Sequence, residues 1–422
     1  MTAFREIAAG AIFILAMAAV ITRPRRLDEA VSSAVGALAM MAVGAVGPGQ
    51  ALATLAQEWN LFLFFLGLML IAGLADAAGF FDAAGALAAG AARGSSRLLL
   101  LGVFLIGAVI TAFLSNDATA LILTPVVYAV ATRLRLPPLP YLFATTFVAD
   151  TASMTLPVSN PINIIVSERA QLGLGAYTGH LLLASIMAIA INAALFLVVF
   201  RREARRRFDA DWRAALAEVI SNRRLFRLTC AGLGLVAAAY LVASAVRVPL
   251  GPVAVVGALL LALLALGARD LDVGRVRGQV SLSLFVYVAG LLVMVRGLES
   301  VGLTETAVGW LWGLAPGQLG AVGAGLLGGA LGANLINNVP ATLVLLAGAG
   351  PAPHLPFQLG VLAGADLGPN LTPVGSLSTM LWLVIVRRRG IEVKTLDYLK
   401  LGAIVTPVVL LATGLAIAAT FR

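Results

Sequence analysis

The stretch Ala149-Asp-Thr-Ala-Ser-Met-Thr-Leu-Pro157-Val158 decides the fold, because a related stretch occurs later in the chain. Its counterpart, Ala365-Asp-Leu-Gly-Pro-Asn-Leu-Thr-Pro373-Val374, lies 216 positions further on and keeps the aspartate and the proline at the same spacing. A second pair of motifs, Asn116-Asp117 and Asn337-Asn338, recurs at an offset of 221 residues. Such long-period similarity predicts two homologous halves.

The composition around these motifs excludes a water-soluble protein. Apolar residues make up 60% of the 422 residues and charged residues 12%, and the mean hydropathy is +0.99. Soluble domains carry about 25% charged residues. Apolar stretches of about 20 residues, each long enough to cross a hydrocarbon core, recur from end to end. The sequence therefore predicts an all-α polytopic membrane protein.

The net charge of +9 and the pI near 10.5 could suggest a nucleic-acid partner, but the positions of the basic residues argue against one. With the N-terminus outside, 24 of the 29 Lys and Arg residues fall on loops predicted to be cytoplasmic. These loops are 23–30, 76–97, 131–140, 201–227, 267–280 and 387–400. This positive-inside pattern is typical of an inner-membrane protein, here with both termini periplasmic, and we predict membrane lipid rather than nucleic acid as the partner. Residues 7–21 read as a retained first span, because Arg23 follows them instead of a cleavage site.

The chain divides into a first half at 1–200, a basic cytoplasmic linker at 201–224 and a second half at 225–422. The spans predicted in the first half lie at about 6–22, 28–47, 59–75, 141–167 and 178–200. Those predicted in the second half lie at about 225–246, 250–267, 280–297, 356–386 and 400–420. Five crossings is an odd number, so the second half has the inverted membrane topology of the first.

Each half also contains a two-armed segment, at 96–135 and at 318–350. Their arms are expected to be too short or too broken to be confident spans, and they flank polar tips at Ser115-Asn-Asp117 and Ile336-Asn-Asn338. If the two segments were counted as full crossings, some basic loops would fall on the wrong side of the membrane. Re-entrant hairpins are therefore the favoured interpretation.

Only three of the 20 acidic residues are predicted at membrane depth, namely Asp117, Asp150 and Asp366. An ionisable group there is costly unless it faces a polar cavity, so each is a functional candidate. Asp150 and Asp366 are repeat-related and are our candidates for proton coupling, with Asp117 as the weaker third. The structural alternatives are a carboxylate that ties two helices together and, for Asp117, an N-cap of the second hairpin arm. Asn338 would be the equivalent cap in the other half.

Proline and small polar residues follow both repeat-related aspartates and predict interrupted helices. Non-helical backbone at membrane depth is tolerated only where it lines a cavity or is buried in protein. The hydroxyl and amide side chains of the breaks would then form a polar lining. Cys230 is the only cysteine, which excludes a multi-thiolate or multi-cysteine metal site, and no metal, cofactor or catalytic residue is predicted.

Several motifs resemble the ArsB-type arsenical pump membrane proteins of the ion transporter superfamily. They are Leu114-Ser-Asn-Asp-Ala-Thr-Ala-Leu-Ile-Leu-Thr-Pro125, Ala149-Asp-Thr-Ala-Ser153, Asn337-Asn-Val-Pro340 and Asp366-Leu-Gly-Pro-Asn-Leu-Thr-Pro-Val-Gly-Ser-Leu-Ser-Thr-Met-Leu-Trp382. The resemblance runs over nearly the whole chain and implies two inverted repeats whose hairpin tips and helix breaks form the site. By position it implicates as substrate-binding residues Ser115, Asn116, Asp117, Ser159, Asn160, Asn337, Asn338, Thr372 and Ser376.

The resemblance implies export of arsenite and antimonite driven by proton motive force, with a soluble ATPase subunit added in some systems. Arsenite at neutral pH is mainly an uncharged trihydroxide, which suits hydroxyl and amide ligands. One departure concerns Asn370, whose place is often taken by lysine in the family. A neutral residue there is expected to leave Asp366 without that counter-ion.

Two other functions are compatible with parts of this pattern. A sodium/proton antiporter or sodium-coupled anion carrier on the same scaffold is the nearer one, but Asp117 replaces the threonine usual at sodium-coupled tips. An intramembrane aspartyl protease would need a Gly-x-Gly-Asp signature, and the residues before Asp366 are Ala363-Gly-Ala365. The predicted protein is therefore a secondary transporter and not an enzyme.

Overall fold

The structure is a computed structural model that describes residues 2–22, 28–208, 223–267, 273–313, 317–349 and 354–421. The predicted loops 23–30, 201–224 and 267–280 and the end of the predicted hairpin at 318–350 therefore lie partly outside the described residues. Within the described ranges the chain is helical, and its one β-type contact is a bridge between Ser95 and Arg207.

The helices of the first half are Thr2–Thr22, Glu29–Ala42, Pro48–Gln57, Trp59–Ala77, Phe80–Ala91, Ser96–Phe113, Asn116–Ala118, Thr124–Arg133, Leu139–Thr151, Pro161–Arg169, Leu174–Val199 and Arg201–Ala204. A π-helical turn, Thr119–Leu123, and a 3₁₀ turn, Pro157–Ser159, complete it. The helices of the second half are Arg223–Ala245, Leu250–Gly267, Val273–Gln279, Leu282–Ser300, Leu303–Gly313, Gly317–Ile336, Asn338–Gly348, Leu355–Leu367, Leu377–Arg388 and Thr395–Ala419, with a 3₁₀ turn at Gly368–Leu371.

The prediction of a polytopic membrane protein is confirmed. Eight of the described helices are long and apolar enough to cross a membrane. Large apolar side chains such as Leu15, Leu183 and Leu411 are about two-thirds exposed on the outer surface of these helices. In a membrane protein this is the surface that meets lipid, because hydrocarbon tails impose no penalty on exposed leucine.

Both two-armed segments pack as antiparallel pairs of helices. In the first hairpin (96–133), the hydroxyls of Thr111 and Thr119 lie 2.8 Å apart on facing arms. In the second hairpin (317–348), Gly332 faces Ala341 across the tip. The first arms, Ser96–Phe113 and Gly317–Ile336, are unbroken and long enough to span, so the expectation that both arms of each segment are too short or broken was wrong for them.

Both interrupted helices are confirmed. The first broken helix consists of Leu139–Thr151 and Pro161–Arg169, and the second of Leu355–Leu367 and Leu377–Arg388. Proline ends the first segment or starts the next one because it lacks a backbone N–H and cannot continue a helix without losing a hydrogen bond.

Some segments predicted as loops are helical. The predicted cytoplasmic loop 76–97 contains the helix Phe80–Ala91, in which Phe81 is fully buried. The predicted span 28–47 ends at Ala42, and the short helix Pro48–Gln57 follows it. These helices of 10 to 12 residues are too short to cross a membrane alone, which is why hydropathy did not reveal them.

Two of the helix pairs that join the halves approach each other closely at small residues. Trp59–Ala77 packs against Leu250–Gly267, where Gly67 faces Ala254, and a Cβ added at Gly67 would lie 2.5 Å from the Cβ of Ala254. Gly290 on Leu282–Ser300 makes a similarly close approach to Ser33. Small residues allow such approach between membrane helices, where van der Waals packing drives association. The inverted relation of the two halves remains a prediction.

Candidate functional site

The carboxylate of Asp150 is held by hydroxyl groups from the other half. The helix Leu377–Arg388 begins beside it, and three side chains of that first turn donate to the carboxylate. The donor–acceptor distances are 3.2 Å from Ser376, 3.0 Å from Ser378 and 2.9 Å from Thr379. Three donors offset much of the cost of burying a carboxylate that is only 1% exposed.

Asp366 is held by the first half in return, but with fewer donors. The amide Nδ2 of Asn160 lies 2.7 Å from Oδ1 of Asp366, while Asn160 Oδ1 accepts from the backbone N–H of Ile162 at the start of Pro161–Arg169. Among the described residues Oδ2 of Asp366 has no hydrogen-bond partner, although this side chain is also 1% exposed. The two repeat-related aspartates therefore have different environments.

The tip of the first hairpin exposes Asp117 to cavities instead of using it as a cap. The N-cap is Ser115, whose hydroxyl accepts from the backbone N–H of Ala118 at 3.0 Å. Asn116 follows and its amide lies 3.5 Å from the hydroxyl of Ser378 on the second broken helix. The structural alternative, in which Asp117 caps the second arm, is therefore wrong.

The tip of the second hairpin holds a strained asparagine. Asn337 has φ of 77° and ψ of 155°, a region that residues other than glycine rarely adopt. Its side chain is buried, and within the described part of the chain neither amide atom has a hydrogen-bond partner. Asn338 is the first helical residue and not the cap that was expected, and its backbone N–H donates to the carbonyl of Gly375 at 3.1 Å.

The two tips and the two helix breaks enclose one small cavity, which we call the inner pocket. Its volume of about 30 Å³ leaves room for a very small solute, since one water needs about 10–15 Å³. Its polar lining consists of Asn116, Asp117, Asn160, Asn337, Asn338 and Ser378.

The other predicted substrate residues lie elsewhere. Ser115 faces a larger neighbouring cavity, whereas Ser159, Thr372 and Ser376 line neither. The Ser159 hydroxyl donates to the carbonyl of Ala112 at 3.0 Å. Thr372 and Ser376 are also engaged within the protein, by Asn334 at 2.6 Å and by Asp150 respectively. These three hydroxyls tie the breaks to their neighbours instead of facing a solute.

The side-chain amide of Asn370 donates its hydrogen bonds to the first broken helix and not to Asp366, and the absence of a counter-ion for Asp366 stays a prediction. Its amide Nδ2 lies 3.1 Å from the carbonyl of Phe147 and 3.0 Å from the hydroxyl of Thr151. Both acceptors belong to the last turn of Leu139–Thr151, the segment that carries Asp150. Position 370 therefore connects the second break to the end of the first broken helix.

Residues outside the nine predicted substrate-binding positions also form the site. Ser378 and Thr379 reach Asp150, and the signal for them was the run of hydroxyls that begins at Ser376. Phe65 and Tyr287 line the inner pocket from the helices Trp59–Ala77 and Leu282–Ser300. Nothing in the local sequence distinguishes them from lipid-facing or packing aromatics. No group of three or more His, Cys, Asp and Glu side chains suitable for a metal ion occurs in the described ranges.

Comparison with known proteins agrees with this architecture. Residues 8–419 match the arsenical pump membrane protein family. The arsenical pump membrane protein of Escherichia coli (strain K12) is 32% identical over 420 residues, which cover 97% of this chain and 98% of that protein. A putative arsenical pump membrane protein of Bacillus subtilis (strain 168) is 24% identical over 431 residues, covering 95% and 96%.

Two solved transporter structures share the fold. The Alcanivorax borkumensis YdaH transporter superposes with a TM-score of 0.58 at 16% identity over 87% of this chain and 86% of that one. Neisseria gonorrhoeae MtrF, described as one of a class of antimetabolite efflux pumps, gives a TM-score of 0.51 at 15% identity over 87% and 84%. Since the family match extends over almost the full length, this chain belongs to the arsenical pump membrane protein family.

Proposed function

We propose that this protein exports arsenite and antimonite from the cytoplasm as neutral trihydroxides. The observation that carries the proposal is the lining of the inner pocket, which offers five amide or carboxyl side chains and a hydroxyl but no thiol. Cys230 is a partly buried free thiol at the start of the second half. A hydroxylated solute suits such a lining because each of its O–H groups both donates and accepts.

We expect Asn337 to be a principal ligand of the solute, because both polar atoms of its amide are buried without a hydrogen-bond partner among the described residues. A buried amide without a partner is costly, and a non-glycine residue with φ of 77° adds backbone strain. Both costs are accepted at functional sites where a ligand supplies the missing hydrogen bonds. Asn337→Gly should therefore weaken arsenite binding by about tenfold or more without lowering the unfolding temperature, since glycine adopts this backbone conformation freely.

We further propose that export is driven by proton antiport through Asp150 and Asp366. Each of the two carboxyls accepts hydrogen bonds from donors in the other half. A change in the charge of either one therefore alters a contact between the two broken helices. This provides a physical link between proton binding and movement of the elements that enclose the pocket.

The proposal is tested by uptake of arsenite into everted membrane vesicles. A pH gradient that is acidic inside should drive uptake, and a protonophore should abolish it. Repeating the assay with and without sodium separates this function from a sodium-coupled carrier. Uptake that requires sodium, or that survives the protonophore, would contradict proton antiport.

In the proposed orientation within the inner membrane, the arginine-rich loops lie in the cytoplasm and both termini lie in the periplasm. Arg206 is exposed on the described part of the linker. In a Cys230→Ser background, a cysteine at position 206 should react with an impermeant thiol reagent in everted vesicles and not in intact cells. Labelling in intact cells would reverse the orientation.

A further inference from the structure

A second cavity meets the inner pocket at Asp117. Its volume is about 280 Å³, and we call it the access chamber. At one end it is lined by Glu29, Gln279 and Ser281, which lie on or beside segments predicted to be cytoplasmic. Its other end reaches the tip of the first hairpin at Ser115.

Five residues line both cavities and so form the wall between them. This neck consists of Phe65, Asp117, Leu284, Tyr287 and Leu377. Leu284 and Tyr287 are buried, and both belong to the helix Leu282–Ser300. Phe65 approaches from Trp59–Ala77, the helix at the corresponding place in the first half. Four apolar or aromatic side chains therefore surround one carboxylate in the wall between the two cavities.

A third cavity lies at the other end of Trp59–Ala77. Its volume is about 320 Å³, and Glu168, Ser244 and Arg247 contribute to its lining. Asn60, at the start of Trp59–Ala77, donates to Glu168 beside this cavity, whereas Ala72 lines the access chamber. Twelve helical residues separate these two positions, which corresponds to about 18 Å. The access chamber extends along this helix from Ala72 to Phe65, and it shares no lining residue with the third cavity.

A layer of buried apolar side chains lies between the access chamber and the third cavity. Leu68, which lines the access chamber, and Ile164, which lines the third cavity, belong to one buried cluster with Phe64 and Val158. Buried apolar side chains offer a hydroxylated solute no hydrogen-bond partners. The inner pocket shares five lining residues with the access chamber and none with the third cavity.

We propose that the access chamber is the route by which the solute reaches the inner pocket from the side of the basic loops, and that the ring of Tyr287 controls passage through the neck. This inference rests on the proposed function for the identity of the solute, but the position of the route does not depend on it. Tyr287 acts as a barrier and not as a ligand, because it separates the access chamber from the amide side chains that bind the solute. The helices Trp59–Ala77 and Leu282–Ser300, which carry no substrate motif, would then form the wall of the solute's route.

The route is tested by cysteine labelling in a Cys230→Ser background. Ser283→Cys lies in the access chamber, and Ser244→Cys, in the third cavity, is its matched control. An impermeant methanethiosulfonate reagent should label Ser283→Cys in everted vesicles and Ser244→Cys in right-side-out vesicles. Labelling of Ser283→Cys from the outside, or from neither side, would overturn the route.

The role of Tyr287 is tested by labelling a cysteine at a position that lines the inner pocket but not the access chamber. Val339 lines that pocket, and Val344, on the same helix and with similar exposure, lines neither cavity. Tyr287→Ala should raise the labelling rate of Val339→Cys by about tenfold or more and leave that of Val344→Cys unchanged. Tyr287→Phe should leave both rates unchanged, because the ring and not the hydroxyl closes the neck.

Two outcomes would overturn the role of Tyr287. An equal rise at both cysteines would mean that the alanine loosens the helix, and no rise at either would mean that the ring is not the barrier. Labelling rates do not depend on which solute or ion is transported. Failure of these experiments is therefore distinguishable from failure of arsenite uptake.

Discussion

The side-chain amide of Asn160 donates a hydrogen bond to the carboxylate of Asp366, with 2.7 Å between Nδ2 and Oδ1. These residues lie 206 positions apart, Asn160 in the first break and Asp366 in the last turn before the second break. Asp150 makes the reciprocal contact when it accepts from Ser378 at 3.0 Å. Each half of the protein thus supplies the donors for the buried aspartate of the other half.

Exchanging the amide and the carboxyl between positions 160 and 366 tests this hydrogen bond directly. Asn160→Asp keeps the oxygen that accepts from the backbone N–H of Ile162 but removes the donor and places two carboxyl groups together. We expect a loss of about 1–3 kcal/mol in the free energy of unfolding, measured in detergent. Adding Asp366→Asn should restore most of it, because the donor and acceptor are then reversed. A double variant no more stable than Asn160→Asp would contradict the contact.

Asp150→Asn and Asp366→Asn should each abolish gradient-driven arsenite export in everted vesicles while the protein remains in the membrane. An amide cannot bind and release a proton at physiological pH, so the proposed coupling is lost. Binding should survive better than transport, because the amides of the inner pocket remain. Wild-type rates with unchanged pH dependence in both variants would assign these residues a structural role only. The proton path would then have to be sought first at Asp117.

Thr379→Val removes a hydroxyl that lies 2.9 Å from the Asp150 carboxylate and leaves the side-chain volume almost unchanged. Loss of a hydrogen bond to a charged group costs about 1.5–3 kcal/mol, so we expect export to fall by about tenfold or more. Thr413→Val is the matched control, since Thr413 is buried and its hydroxyl has no partner among the described residues. Equal effects of the two substitutions on transport would show that the Asp150 contact is not special.

Thr372→Val should lower the free energy of unfolding and leave the affinity for arsenite nearly unchanged. The hydroxyl donates to Asn334 at 2.6 Å and ties the second break to the first arm of the second hairpin, outside the inner pocket. We expect a loss of about 1–2 kcal/mol in unfolding free energy, with arsenite binding changed by less than about twofold. Loss of binding at full stability would instead restore Thr372 as a substrate ligand.

Glu168, just beyond the predicted span 141–167, should make stability depend on pH. Loss of hydration raises its pKa, and the Asn60 amide only partly opposes this. The neighbouring Glu58 has its pKa raised by burial, with Arg169 opposing and Glu168 adding to the shift. A raised pKa means that the folded protein binds the proton more tightly, so this contribution to stability is present at low pH and is lost as pH rises through the folded pKa.

Glu168→Gln should therefore unfold at a higher temperature than the wild type at pH 8, with the difference narrowing toward pH 4. Glu299→Gln, which removes an exposed ion pair with Arg296 at 3.0 Å, is the control and should show no such stabilisation at pH 8. A difference for Glu168→Gln that widens as the pH falls would have the wrong sign for this explanation.

Local properties of the sequence were sufficient for several predictions. Segments such as Leu174–Val199 are recognisable because their length and hydropathy match a bilayer. The breaks after Asp150 and Asp366 were recognisable because proline cannot continue a helix. The short helix Phe80–Ala91 was missed, since its 12 residues are apolar without being long enough to span. These outcomes depend on properties of neighbouring residues alone.

Only the tertiary structure decided which polar groups face the solute. Thr372, in the second break, and Ser378, in the helix turn that follows it, are both small hydroxylated residues, yet only Ser378 lines the inner pocket. Likewise, the strain at Asn337 and the place of Tyr287 in the neck follow from how distant helices pack. The sequence by itself determined the membrane helices, their breaks and the family, because these depend on local hydropathy, proline and motifs. The partner of each buried polar group depends on contacts between segments about 200 residues apart, which no local pattern contains.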